Sequence, residues 1–168
     1  MGSTALLGRP ADAPDQVGAD ADASWPARRL ALAAVVLAGT ALRLWRVGAA
    51  RATFDEAYTG MYSHLPVREI AGALRAEDAH PPLDYLLRHP FGGIGDTVAL
   101  RAPSVAIGIA TLLLVAWWVG RRGWWGVTAV ALTSVSSFHL LYARTARPYA
   151  LLIPVSYTHL TLPTILRV

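Results

Sequence analysis

Two long runs without Asp, Glu, Lys or Arg, Ala102 to Gly120 and about Gly123 to Ala143, follow one another with only Arg121 and Arg122 between them. Each is long enough to cross a hydrocarbon core about 30 Å thick as a helix rising ~1.5 Å per residue. Lipid offers no partner for backbone N–H and C=O groups, so such runs are predicted as helices that bond internally. Together they predict a hairpin whose turn is Arg121–Arg122, with Trp117, Trp118, Trp124 and Trp125 beside it as an interfacial aromatic belt. The fold class that follows is all-α, with polytopic transmembrane helices.

An earlier apolar run, Leu30 to about Val47, starts after Arg28–Arg29 and spans roughly 27 Å as a helix. Arg43 and Arg46 fall in its last turn, where long side chains can snorkel to headgroups. It lies too far from the start, and lacks a small-residue cleavage site, for a plain secretory signal, so it reads as a retained anchor. Residues 1–27 precede it. Up to Ser24 they are rich in Ala, Asp, Gly and Pro without helical period, and are predicted as a disordered tail.

Of the 168 residues, 54% are hydrophobic, a share that soluble domains of this size rarely reach. The net charge of +4 is scattered around the apolar runs and forms no basic stripe, which argues against nucleic acid and for the phosphates of membrane lipids as partners. Every basic residue is arginine, a bias of coding composition that carries no functional hint. Cysteine is absent, so thiolate zinc sites, disulfides and cysteine nucleophiles are excluded.

Between the first and second spans, Gly48 to Arg101 forms the polar loop. Leu65–Pro66 opens a short amphipathic helix through Val67, Ile70 and Leu74, and Pro81–Pro82 opens another through Leu83, Leu86 and Leu87. Both can lie flat on a membrane. Gly92, Gly93, Ile94 and Gly95 read as a turn, not a phosphate-binding loop. With three spans, the loop after Val47 and the segment Arg144 to Tyr149 emerge on the same side. The positive-inside rule leaves the orientation open, because arginines are about equally numerous at both ends.

Residues 154–168 look foreign: Val155 to Leu160 reads as one frame of a transposon-derived sequencing adaptor, and Thr161 to Val168 as its continuation. The native chain is then expected to continue past Ile153 as a larger protein. Residues 28–153 are its amino-terminal part.

Three clusters of polar residues can do chemistry. Asp55 and Glu56, directly after the first span, are about 100 degrees apart on a helix, so one acts and the other supports. A carboxylate at a desolvating surface can serve as a general base for an attacking hydroxyl, and Asp55 is the candidate. The plainer reading is an acidic pair capping a helix after Thr53. His80, ahead of Pro81–Pro82, can bind phosphate, ligate a divalent metal with Asp55 or Glu56, or simply cap. No cofactor is demanded. His64, His89 and His139 have no partner at metal-ligand spacing and read as structural. Arg144 and Arg147, three apart, face one way on a helix and can fork onto phosphate oxygens, or anchor at the interface. Arg101 is a lesser member of the same set for which anchoring is the better reading, and Pro148 permits a new helix to begin at Pro148-Tyr149-Ala150.

Taken in order, Leu42-Arg43-Leu44, Phe54 to Tyr58, His80-Pro81-Pro82-Leu83, Leu100 to Ser104 and Ala146 to Leu151 resemble the amino-terminal part of bacterial GT-C membrane glycosyltransferases. The similarity, over about Arg28 to Ile153, is to the protein mannosyltransferase-like or Rgt-like group of glycosyltransferase family 39. The resemblance implies a multi-pass protein of the cell membrane, a partly helical extracytoplasmic first loop holding the active site, and inverting transfer from a polyprenyl-phosphate sugar. It implies Asp55 as the base or acceptor-orienting carboxylate with Glu56 beside it as the catalytic pair, and Arg144 and Arg147 as candidates for the donor phosphate; His80 and Tyr149 join them as candidate substrate-binding residues. Relatives often carry an acidic residue where Thr145 stands, so this chain departs from the pattern there. A truncated chain of this kind is expected to be inactive. The rival expectations are a non-enzymatic transporter, which would carry charges at mid-depth in its spans, and a membrane scaffold, whose loop would lack convergent polar groups.

Overall fold

A computed structural model describes residues 25–77, 82–91, 95–152 and 154–156. All regular structure among them is helical: α1 (Trp25–Leu44), α2 (Phe54–Ser63), α3 (Val67–Glu77), α4 (Leu83–Arg88), α5 (Thr97–Val119), α6 (Trp124–Val135) and α7 (Ser137–Ala143). Helix resumes at residues 149–152, after Pro148. His80, Pro81, the stretch 92–94, the tail before Trp25 and the residues after 156 lie outside the described residues.

The long helices form a bundle in which α1 packs along both α5 and α6, and α5 packs along α6 and α7. At its centre Leu112, Val115 and Ala116 of α5 meet Val130 of α6, with Leu32, Val35 and Val36 of α1 against them. Close approach is set by a small residue: a Cβ on Gly39 of α1 would stand 2.7 Å from Leu112 and 2.8 Å from Ser134. Small residues at crossings are how helices pack when lipid removes the hydrophobic drive between them. The outer faces stay apolar, with Leu30 and Leu37 of α1 and Leu132 of α6 each more than 60% exposed.

Of these helices α5 is long and apolar enough to cross a membrane, and α6 with α7 makes a second if the bent pair counts as one span. The third predicted span is therefore not straight. It breaks at Ser136, whose ψ of 120° is extended, and the two halves meet at 54°. Hydroxyl side chains crowd that point: Thr133 and Ser134 donate back to the carbonyls of Ala129 and Val130, a bonding pattern that bends helices. The first predicted span is α1, which ends at Leu44, three residues before the expected boundary. Arg43 does not snorkel outward as expected. It is fully buried and donates to the carbonyl of Gly39 at 2.8 Å.

The helices α2, α3 and α4 cap one end of the bundle. Tyr62, Ile70, Leu74 and Tyr85 form their core, with Tyr58 and Leu65 packed on it. The apolar face of α3 is consumed there, so its Ile70 and Leu74 do not lie on a membrane surface as the sequence predicts. Leu83, Leu86 and Leu87 of α4 do remain exposed.

Candidate functional site

The cap is fastened to the bundle by arginines and carboxylates drawn from distant parts of the chain. Thr53 starts α2 with a capping box: its hydroxyl accepts from the Glu56 N–H at 3.3 Å, and its own N–H donates to Glu56 Oε2 at 3.0 Å. This puts Asp55 and Glu56 on the first turn of a regular helix, pointing apart.

Glu56 points inward and is 1% exposed. Arg101 of α5 forks onto it, Nε to Oε1 and Nη2 to Oε2, both at 2.7 Å. The backbone N–H of Ala146 donates to Oε1 at 2.9 Å. Burial by itself would raise the Glu56 pKa. The Arg101 guanidinium and the N–H groups of Thr53 and Ala146 outweigh it and hold the carboxyl at about 2. A carboxylate bonded on both oxygens and this acidic is a poor base at neutral pH.

Arg101 is equally committed. Beyond Glu56 it donates to the carbonyls of Val47 at 2.6 Å, Ala50 at 3.2 Å and Arg51 at 3.3 Å. It clamps the chain leaving α1 and is not the interfacial anchor that the sequence reading assigns. The turn it grips includes Arg46 at φ 52°, a left-handed conformation that costs a side-chain-bearing residue roughly 1 kcal/mol.

A second clamp centres on Arg88, also fully buried. It forks onto Asp84 at 2.8 and 2.9 Å and donates to the Leu100 carbonyl at 2.6 Å and the Ser104 hydroxyl at 2.8 Å. Its fifth bond, to the Arg147 carbonyl at 3.3 Å, spans 59 residues of sequence. Pro103 stands inside α5 and has no N–H to donate to the Ala99 carbonyl one turn earlier. The stretch Leu100 to Ser104, singled out in the sequence, is thus the seam to which both clamps attach.

Asp55 points outward, 61% exposed, and its Oδ2 meets Arg147 Nη2 at 2.7 Å. The turn after α1 and the bend after α7 therefore meet at one end of the bundle. Arg144 and Arg147 do not face one way. The helix stops at Ala143, Arg144 takes φ −112°, and residues 144–147 form a bend, not a helical turn. Arg147 goes to Asp55, while Arg144 turns into a cavity of about 470 Å³.

That cavity lies among the end of α1, the start of α5 and the end of α7. Arg46, Arg51, Arg101 and Arg144 line it, with Thr53, Glu56 and Thr145, and Ser137, Leu140 and Leu141 form its less polar wall. Glu56 neutralises Arg101, and the guanidinium groups of Arg46, Arg51 and Arg144 have no ion-pair partner among the described residues. The result is an open cationic site of ordinary ligand size. Sequence reading missed Arg46 and Arg51 as members; the signal available was their place on either side of the turn between the first span and the acidic pair.

Tyr149 stands elsewhere. It stacks 5.0 Å from Tyr142 and borders an apolar cavity of about 260 Å³ with Leu83, Asp84, Pro148 and Leu151. His89 bonds the Ser63 carbonyl at 2.8 Å and ties α4 to α2, a structural role as expected. Asp55 and Glu56 each hold a guanidinium, and the described residues contain no cluster of three or more His, Asp or Glu side chains able to share a metal ion. No family model, curated protein or solved structure matches the chain.

Proposed function

We propose that this chain is the amino-terminal part of a multi-pass membrane glycosyltransferase that moves a sugar from a polyprenyl-phosphate donor to an acceptor hydroxyl on the extracytoplasmic side. The observation that carries the reading is the cavity whose Arg46, Arg51 and Arg144 side chains have no ion-pair partner among the described residues, at the same end of the apolar bundle as the exposed Asp55–Arg147 pair. A lipid phosphate is the anion that suits a cationic pocket opening beside a greasy helix: its head meets guanidinium forks, and its tail runs along the exposed Phe138 and Leu141 of α7. In the transfer step the acceptor oxygen bonds to the anomeric carbon as the bond from that carbon to the phosphate oxygen breaks. The electron pair leaves with the polyprenyl phosphate, where arginines stabilise the growing charge. The hydroxyl proton passes to Asp55.

In this reading Arg144 binds phosphate, Arg147 orients Asp55, and Glu56 with Arg101 holds the loop in place. The non-enzymatic scaffold is the second reading. It is favoured by the pairing of Asp55, Glu56 and Asp84 with arginines, since ion pairs of this kind also serve only to fasten a cap to a bundle. Sugar transfer from polyprenyl-phosphate sugars, assayed with the gene recovered past Ile153, separates the two. Asp55→Asn is expected to lower turnover at least about a hundredfold with expression unchanged. Full activity in that variant would remove Asp55 from its role, and a recovered gene that transfers no sugar would favour the scaffold.

A further inference from the structure

The opposite end of the bundle holds a second basic cavity, of about 380 Å³, which the sugar-transfer reading does not use. Arg28 and Arg29 from the first turns of α1 and Arg121 from the turn after α5 converge on it, between Trp25 and Trp117. Among the described residues no carboxylate lines it. Arg29 stacks over Trp25 at 4.9 Å, and Arg122, next in the chain, stacks over Trp118 at 5.4 Å. Gly123, at φ 70°, takes a left-handed turn that favours glycine, and it brings the basic turn within ordinary contact of Arg28 at the start of α1. Gly120 leaves the floor to Leu32, whose Cδ2 a Cβ would meet at 2.7 Å.

We propose that this cavity binds the phosphate headgroup of an anionic glycerophospholipid. Three features favour a lipid over a free anion. The guanidinium groups are gathered at the rim of an apolar bundle, where headgroup phosphates lie. Trp117, Trp124 and Trp125 are all more than half exposed at this same end, as residues of a membrane interface are. Below the cavity the surface stays greasy, with Leu113 one turn from Trp117 on α5 and half exposed, so acyl chains have a face to follow. The inference needs the bundle to sit in a bilayer and is independent of sugar transfer.

The test uses the full chain in phosphatidylcholine vesicles doped with either brominated phosphatidylglycerol or brominated phosphatidylcholine, with tryptophan quenching as the readout. The wild type is expected to prefer phosphatidylglycerol by at least about tenfold. The exposed pair Arg29→Gln and Arg121→Gln should each cost about fivefold, as loss of one basic residue near an anionic headgroup does. Arg29→Lys with Arg121→Lys should keep most of the preference, because charge persists. Equal quenching by the two lipids would overturn the proposal, as would unchanged selectivity in the double Gln variant. Loss of the preference on adding millimolar inorganic phosphate would identify a free-phosphate site instead and also overturn it.

Discussion

At Glu56 one carboxylate holds a guanidinium fork and two backbone N–H groups, so its charge is part of the architecture. Glu56→Gln keeps the shape and strands Arg101 as a buried cation. A loss of about 3–5 kcal/mol is expected, read as a lower melting temperature in detergent, with Glu56→Met and Arg101→Met together restoring most of it. The pH dependence has a definite sign. The folded-state pKa of about 2 lies below the ordinary 4.5, so the stabilisation is complete above about 4.5 and disappears as pH falls through about 2. The melting temperature of the wild type should fall across that window more steeply than that of Glu56→Gln. Residues of this kind were only half legible. That the two carboxylates would point apart follows from helix geometry alone. That the inward one would meet Arg101, 45 residues away, depends on how α5 packs against the cap, which no local pattern encodes.

Among the elements, α1 and α3 carry glycines in opposite settings. Gly39 sits where α1 crosses α5 and α6, and Gly39→Ala drives a methyl group into Leu112 and Ser134. A net loss of about 1–2 kcal/mol is expected once the gain in helix propensity is offset against overpacking. Gly72 in α3 has open space where a Cβ would stand, so Gly72→Ala should stabilise by roughly 0.5–1 kcal/mol. Thermal melts of the two single variants check both signs. Helix positions were legible because apolar runs and Pro66 and Pro82 announce them; that α5 begins at Thr97, behind the Asp96 cap, was not. The break at Ser136 was not, since an uncharged run reads as one span whether straight or bent. The split of Arg144 from Arg147 was missed because their spacing presumes a helix that ends at Ala143.

For the whole molecule, the up-down-up course of α1, α5 and α6–α7 gathers Arg46, Arg51 and Arg144 at one end and Arg28, Arg29 and Arg121 at the other. Because the chain has no cysteine, single introduced thiols report this arrangement cleanly. Phe54→Cys and Thr145→Cys should react with a membrane-impermeant maleimide from one side of the bilayer, and Arg122→Cys from the other. That the turn after α1 and the bend after α7 share one end of the bundle was readable from the count of apolar runs; the cationic cavity there was not, because its walls come from three separate stretches. The most direct measurement on the central claim is the affinity of the detergent-solubilised chain for a short polyprenyl phosphate, compared between wild type, Arg144→Gln, Arg46→Gln and the exposed Arg68→Gln, which lines neither basic cavity. Loss of a charge-assisted bond worth about 1.5 kcal/mol should weaken binding roughly tenfold in each of the first two variants and leave Arg68→Gln at the wild-type value. Equal affinity in all four proteins would contradict the account.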